Sequence, residues 1–346
     1  MRSTRIMAFP RIERSVSCAG RKAAAGLRWA LPGLALGLSG CNTVLMHPSG
    51  DIAAQQGRLI VVSTILMLLI IVPVIILTFL FAWRYRQSNR EADYQPEWAH
   101  SIQLELVIWA APLLIIIALG ALTWISTHTL DPYRPLQRID ADRPFSATVK
   151  PLTIEVVALD WKWLFLYPEQ GIAVVNEVAA PVDMPIEFRI TAESVMNSFF
   201  IPALAGQIYA MPGMETQLHA VINHPGDYRG FSANYSGAGF SGMHFQFRGM
   251  SVGDFDQWVQ ATRAGGGTLD RAVYRELQKP SVADPVHRYG AIEAGLYDAI
   301  VNRCVAEGTA CMHDMMSRAT PADAPRVPAR PVAVAEGDAT VHAHGD

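Results

Sequence analysis

The sequence predicts a membrane-anchored α+β protein, in which a hairpin of two transmembrane helices precedes a β-sandwich and a short helical C-terminal region. Two long apolar segments, residues 59–83 and 106–125, predict the helices, and short strand-like segments separated by Pro, Gly and Asn predict the sandwich. The composition agrees, because 51% of the residues are hydrophobic and only 17% are charged, against about a quarter in soluble domains. A formal charge of -3 without a long Lys/Arg run excludes a nucleic-acid-binding surface.

The first 40 residues have the order of an export signal. Basic residues precede an apolar segment over residues 31–38, and the string Leu-Ser-Gly-Cys follows it, ending at Cys41. This string resembles a bacterial lipobox, in which cleavage leaves an N-terminal cysteine that carries lipid. We therefore expect removal of residues 1–40 and lipidation of Cys41. The alternative is an unlipidated, buried cysteine that follows small residues by chance.

Both apolar segments are long enough to cross a bilayer. At about 1.5 Å per residue they reach roughly 37 Å and 30 Å, against a hydrocarbon core of about 30 Å. Trp98 and Trp124 flank them as interfacial anchors do, and we expect helices over about 59–83 and 102–126. Because export places Cys41 outside, the hairpin loop is expected in the cytoplasm and the chain after the second helix in the periplasm.

Seven segments after the hairpin have the composition of β-strands. They cover residues 152–159, 161–167, 172–178, 185–191, 216–222, 227–233 and 243–248. Short strands at this spacing predict a sandwich of roughly 100 residues. The pattern turns helical from Val252, and the last residues have the Ala/Pro/Val-rich composition of a disordered tail.

The chain thus divides into five predicted parts. They are an export signal at 1–40, a lipidated N-terminus with the helix hairpin at 41–130, a sandwich domain at 131–250, a helical extension at 251–318 and a disordered tail at 319–346.

Four local strings are specific enough to compare with known families. They are residues 81–86 (Phe-Ala-Trp-Arg-Tyr-Arg), the pair Glu105 and Trp109, residues 160–163 (Asp-Trp-Lys-Trp) and residues 235–243 (Tyr-Ser-Gly-Ala-Gly-Phe-Ser-Gly-Met). Together they resemble subunit II of the haem-copper terminal oxidases, from about Cys41 to about Val301. The resemblance implies that the sandwich is a cupredoxin-like domain, and that the hairpin packs against a haem-bearing subunit I.

In the cytochrome c oxidase branch of that family, the sandwich carries a two-copper centre. Its ligands are an upstream His and a loop of the form Cys-x-Glu-x-Cys-x-x-x-His-x-x-Met, because soft thiolates delocalise an electron over two coppers. The corresponding positions here hold Asn197, Tyr235, Gly239 and Met243. No cysteine occurs between residues 42 and 303, so no other alignment supplies thiolates. The resemblance therefore implies a domain without copper, and the nearby His244 is expected to be a surface side chain.

A copper-free domain cannot accept single electrons from cytochrome c, so the resemblance implies the quinol oxidase branch, and within it the cytochrome o type that uses ubiquinol. The implied complex oxidises ubiquinol, reduces dioxygen to water and pumps protons across the bacterial inner membrane. Haem and copper are expected in the catalytic subunit I and no cofactor in this chain, whose partners would be that subunit, other oxidase subunits and membrane lipid. The alternative is a free-standing, membrane-anchored periplasmic binding or assembly protein.

Glu105 is the one candidate for direct chemistry. It stands at the start of the second apolar segment, on the cytoplasmic side of the predicted hairpin. From the sequence alone, a solvated carboxylate favoured by the positive end of the helix dipole is the simpler explanation. The resemblance implies a second one, in which Glu105 lies at the mouth of a proton-conducting channel of subunit I.

Four further side chains complete the predicted set. Cys304 and Cys311 are expected to form a local disulfide, which suits an oxidising compartment. Copper capture together with neighbouring Met and His residues, or two free thiols, are the alternatives. Trp161 and Trp163 have no copper to serve, so we expect them to pack in the sandwich or against the partner subunit.

Overall fold

The structure is a computed structural model that describes residues 44–93, 95–146 and 149–319. The predicted export signal, Cys41 and the tail from residue 320 lie outside these ranges. Within them, two long helices are followed by two β-sheets and several short helices. The predicted fold class is confirmed.

The helix hairpin consists of α1 (Asp51–Arg84) and α2 (Ile102–Thr129). Both are long and apolar enough to cross a membrane. Helix α1 begins eight residues earlier than the apolar pattern indicates, because its first two turns pack on protein rather than on lipid. Asp51, Ala53 and Gly57 in these turns are buried.

Buried contacts tie the start of α1 to the sandwich. The Asp51 carboxylate accepts two hydrogen bonds from the Arg138 guanidinium, at 2.9 and 3.1 Å. Gly50 forms a β-bridge with Ile222, and a Cβ added at Gly50 would lie 2.5 Å from the carbonyl oxygen of Val221. Only glycine therefore permits this close approach of helix and strand.

The strands of the sandwich follow in chain order. They are β1 (Leu152–Leu159), β2 (Lys162–Tyr167), β3 (Ile172–Val175), β4 (Glu177–Pro181), β5 (Pro185–Ala192), β6 (Asn197–Phe200), β7 (Ile208–Ala210), β8 (Thr216–Val221), β9 (Gly226–Ser232), β10 (His244–Met250), β11 (Gly267–Leu269) and β12 (His287–Ile292). One sheet has the order β11-β12-β3-β2-β1-β5-β8 and the other the order β4-β10-β9-β6-β7.

The larger sheet is buried on both faces. On β1, Val156 faces the core between the two sheets, whereas its neighbour Val157 faces a second core beneath the C-terminal extension. On β2, Phe165 and Leu164 divide in the same way. This double burial explains why these strands are apolar almost without interruption, instead of alternating with polar residues.

The predicted helical extension is only partly helical. It contains α3 (Val252–Gly265), α4 (Arg271–Leu277), α5 (Leu296–Val301) and α6 (Met312–Ala319). It also adds β11 and β12 to the edge of the larger sheet. The first of these strands has three residues, too few to show a period of two in the sequence.

Buried polar groups and a disulfide fasten this extension. Glu177 accepts hydrogen bonds from the Trp258 indole at 2.9 Å and from Arg288 at 2.6 Å. The Lys162 ammonium, which is 2% exposed, donates to the carbonyl oxygen of Lys279 at 2.9 Å. The predicted disulfide between residues 304 and 311 is present and closes the loop before α6.

One predicted strand, residues 172–178, is divided in two. Asn176 adopts a left-handed conformation with φ 58°, which turns the chain from β3 in one sheet to β4 in the other. Its side chain supplies hydrogen bonds where the strand pairing is interrupted. The side-chain oxygen accepts from the amide of Trp163 at 2.9 Å, and the side-chain nitrogen donates to the carbonyl oxygen of Asp284 at 2.8 Å. A single residue thus joins both sheets and the extension.

Candidate functional site

The four positions expected to have lost copper ligands lie at one end of the smaller sheet. Asn197 begins β6, Tyr235 and Gly239 lie in the loop between β9 and β10, and Met243 immediately precedes β10. We call residues 233–243 the β9–β10 loop. The side chain of Asn234 donates to the carbonyl oxygen of Met196 at 3.3 Å, which holds the loop against the start of β6.

Asn197 is buried, and both polar atoms of its side-chain amide are hydrogen-bonded within the protein. The carbonyl oxygen of that amide accepts a hydrogen bond from the Ser232 hydroxyl at 3.0 Å. The amide nitrogen donates to the backbone oxygen of Val195 at 3.1 Å. Both polar atoms therefore serve to close the strand ends, and neither points into an open coordination site.

The indole of Trp161 covers the β9–β10 loop. Its ring nitrogen donates to the carbonyl oxygen of Ser236 at 2.9 Å. A Cβ added at Gly239 would lie 2.3 Å from the indole ring, and one added at Gly237 would lie 3.2 Å from it. The ring therefore occupies the space that a side chain at residue 239 would need.

The side chains of Tyr235 and Met243 lie in different environments. The Tyr235 side chain is 74% exposed and packs edge-on against Phe240, with ring centroids 5.6 Å apart. Met243 is buried in the core, and its sulfur lies 3.9 Å from the Ser236 hydroxyl. His244 is exposed, as predicted.

These groups do not fit a dinuclear copper centre. The four positions offer an amide, a phenol, no side chain and a thioether, whereas thiolate and imidazole are the donors that such a centre needs. Across residues 44–93, 95–146 and 149–319, no group of three or more His, Cys, Asp or Glu side chains is arranged to hold a metal ion.

An aromatic cluster lies behind the loop. Trp163 is fully buried and packs edge-on against Phe199 and Phe245, with ring centroids 5.4 and 5.7 Å apart. Phe199 and Phe245 are themselves stacked, with an interplanar angle of 7°. Trp161 packs against the same core, so both tryptophans have the packing role that the sequence predicts.

Glu105 lies in the first turn of α2 and contacts a residue that sequence reasoning missed. Its carboxylate lies 2.5 Å from Nδ1 of His100, and both side chains are largely exposed. Ser101 is the N-cap of α2, accepting from the amide of Leu104. His100 and Glu105 thus occupy positions N′ and N4, whose side chains meet across a helix start. That spacing was the signal available in the sequence.

A second titratable cluster lies between the larger sheet and the extension. Arg189 is shared by Glu215, at 2.8 Å, and Glu155, at 3.4 Å. Burial raises the pKa of the Glu155 carboxyl to about 7; Arg189 opposes this shift, while the nearby Asp298 and Glu215 add to it. Since Arg189 lies closer to Glu215, it compensates Glu155 only in part.

Two family comparisons define the class of protein. The family described as cytochrome c oxidase subunit II, periplasmic domain, matches residues 168–249. The COX aromatic rich motif matches residues 263–308, the region that the sequence analysis treated only as a helical extension. The sandwich and its extension are therefore those of a terminal-oxidase subunit II.

Relatives over most of the chain give the branch. The chain is 52% identical to the cytochrome bo(3) ubiquinol oxidase subunit 2 of Pseudomonas putida, over 77% of this chain and 82% of that relative. It is 47% identical to that of Pseudomonas aeruginosa (83% and 84% covered) and 49% identical to the ubiquinol oxidase subunit 2 of Acetobacter aceti (77% and 84% covered). This chain belongs to the ubiquinol oxidase subunit 2 family, which confirms the resemblance seen in the sequence.

The contact between Trp161 and the β9–β10 loop predicts the effect of a small substitution. Gly239→Ala should lower the free energy of unfolding by about 1–3 kcal/mol, because the new methyl group collides with the indole. Denaturant unfolding of the purified chain in detergent measures this. The matched control is Gly253→Ala, where a Cβ meets nothing within 4 Å. Equal stability of both variants would contradict the packing, and Trp161→Ala should abolish the difference.

Burial of Glu155 predicts a pH dependence of stability. The pKa of the Glu155 carboxyl is raised to about 7 in the folded chain, from an ordinary pKa of 4.5. Between these two pH values the folded state therefore binds more protons than the unfolded state. The free energy of unfolding should fall as the pH rises through this range. In Glu155→Gln this contribution disappears, which thermal midpoints between pH 5 and 8 would show. The exposed Glu307→Gln should retain the wild-type slope; a slope unchanged in Glu155→Gln would refute the assignment.

Proposed function

We propose that this chain is a copper-free, structural subunit II of a complex that oxidises ubiquinol, reduces dioxygen to water and pumps protons. The observation that carries the proposal is the packing of the β9–β10 loop, where the indole of Trp161 lies against Gly239. Thiolates are missing from the whole interval between residues 42 and 303. The loop is thus held by packing and hydrogen bonds in place of metal ligands.

The proposed electron path bypasses this chain. Two ubiquinols release four electrons and four protons, which convert one dioxygen into two waters at the haem-copper site of subunit I. Since a quinol dissolves in the bilayer, it can deliver electrons to that subunit directly. The apolar surfaces of α1 and α2 are exposed along most of their length, as expected for helices that pack against a partner subunit or lipid.

The proposed placement is a bacterial inner membrane, with the hairpin loop in the cytoplasm and the sandwich in the periplasm. Its support is the order of the export signal and the string that ends at Cys41. Lipid on Cys41 would add a second attachment to the two spanning helices.

A proton-uptake role for Glu105 follows from this placement. At the cytoplasmic start of α2, the carboxylate lies within hydrogen-bond distance of His100, and both groups reach water. The imidazole can take a proton from solvent and pass it to the carboxylate, which would hand it to a polar path in subunit I. Because neither group is buried, proton exchange with bulk water is unobstructed.

The copper proposal predicts the metal content of the complex. Purified with its partners, the protein should contain haem and about one copper per complex, the copper being that of the oxygen site in subunit I. Metal analysis and optical spectra test this, and this chain purified alone should bind no copper tightly. Stoichiometric copper in this chain, with absorption bands of thiolate-bound copper, would end the proposal.

The proton-uptake proposal predicts the effect of a neutral isostere. Glu105→Gln should slow ubiquinol oxidation up to about tenfold, an added barrier of up to about 1.4 kcal/mol, while haem content and quinol affinity stay unchanged. Glu105→Asp should retain part of the rate. Steady-state turnover at saturating quinol is the measurement, and Glu97→Gln in the hairpin loop is the exposed control. Full turnover of Glu105→Gln across the pH range would show that Glu105 is only a solvated surface carboxylate.

The lipidation proposal predicts two separable results for Cys41→Ser. Incorporation of labelled fatty acid should cease, because the acceptor thiol is gone. The protein should nevertheless stay in the membrane fraction, since two spanning helices hold it more strongly than acyl chains do. Continued labelling would show that the lipid is carried elsewhere, and release into the soluble fraction would contradict the membrane hairpin.

A further inference from the structure

A groove of about 680 Å³ lies beside the first three turns of α1. The helix itself and residues of the segment at 45–50, which leads into it, contribute to its lining. Residues 140–143, together with Asn223 and His224, also contribute. Its volume is within the range of about 300–1,000 Å³ typical of pockets that hold small ligands.

Part of the uncovered lining of this groove is apolar, beside the exposed Arg58, Arg143 and His224. Val61 and Val62 of α1 face a lining that includes Leu45 and Met46. Met46 is 52% exposed and Val62 is 43% exposed. Such a surface at the outer end of a membrane helix is stable when hydrocarbon covers it.

Two polar groups at the rim, Arg143 and Asn223, are already paired within the fold. Arg143 donates to Asp183 at 2.8 Å and also binds Asp140. Asn223 donates to Asp183 at 3.0 Å and to the carbonyl oxygen of Ile139 at 2.9 Å. A charged headgroup at Arg143 would have to compete with this network, whereas an alkyl chain would need only the apolar part of the wall.

The described part of the chain begins beside this groove. A Cβ added at Gly57 would lie 3.1 Å from the carbonyl oxygen of Leu45, so the segment before α1 lies directly along the helix. Cys41 precedes Val44 by three residues, which span at most about 11 Å. The thiol is thus tethered within reach of a groove whose lining includes the residues that follow it.

We propose that this groove seats an acyl chain carried by Cys41, so that the lipid lies against the start of α1. The inference rests on the proposed lipidation of Cys41 and adds where that lipid binds. The short tether favours this occupant over a free bilayer lipid, because it holds the acyl chain at high local concentration beside the groove.

Photocross-linking in the assembled complex, in native membranes, tests the seat. The photoreactive variant is Val61→benzoylphenylalanine, which inserts into nearby C–H bonds. Ile60→benzoylphenylalanine is the matched control, since Ile60 is 41% exposed, against 38% for Val61, in the same turn but outside the groove lining. A second probe at Val62 covers failure of the first variant to assemble.

Mass spectrometry should detect a product in which the residue-61 peptide is joined to the lipid-bearing N-terminal peptide. It should be absent from the residue-60 variant and lost in Cys41→Ser. Cross-linking of residue 61 to free phospholipid alone, with lipid present on the N-terminal peptide, would overturn the seat and leave lipidation intact. An N-terminal peptide without lipid would refute both, and equal products at residues 60 and 61 would refute a specific seat.

Discussion

The architecture of the chain after the hairpin depends on burial of the larger sheet on both faces. One face packs on the smaller sheet and the other on the C-terminal extension, so neighbouring residues such as Val156 and Val157 belong to different cores. A sheet with this much apolar area is unstable if either cover is lost. The extension is fastened to this sheet by hydrogen bonds from buried side chains, where water cannot replace the partners. These side chains are Lys162, Asn176 and Glu177.

The β9–β10 loop is held by contacts that are spread along its length. Here Ser232 ties Asn197 to β9, Asn234 reaches Met196, and the Trp161 indole lies on the glycines of the loop. Asn197, Gly239 and Met243 are thus part of this packing, whereas Tyr235 is exposed.

The sequence was sufficient for the helix hairpin, the strands with strong apolar patterns, the disulfide and the branch of the family. It was insufficient where local pattern is weak or where tertiary contact decides. Strands β6, β7, β11 and β12 are short or polar, and the first two turns of α1 lie outside the apolar segment because they pack on protein, with Ala53 and Gly57 buried. Residue types alone predicted the missing thiolates, but not that an indole fills the adjacent space. The contact of His100 with Glu105 follows from capping geometry, which composition does not show.

The start of α1 is where the helix hairpin meets the sandwich, and it contains small residues and the ion pair of the buried Asp51. Asp51 sits in the first turn, where the helix dipole favours a carboxylate, and Arg138 from the segment after α2 neutralises it. Both ends of the hairpin are thereby fixed to one another and, through Gly50, to β8. An acyl chain along Val61 would extend this joint into the bilayer. The sandwich is in any case held at a set position on its helices by the contacts of Asp51 and Gly50.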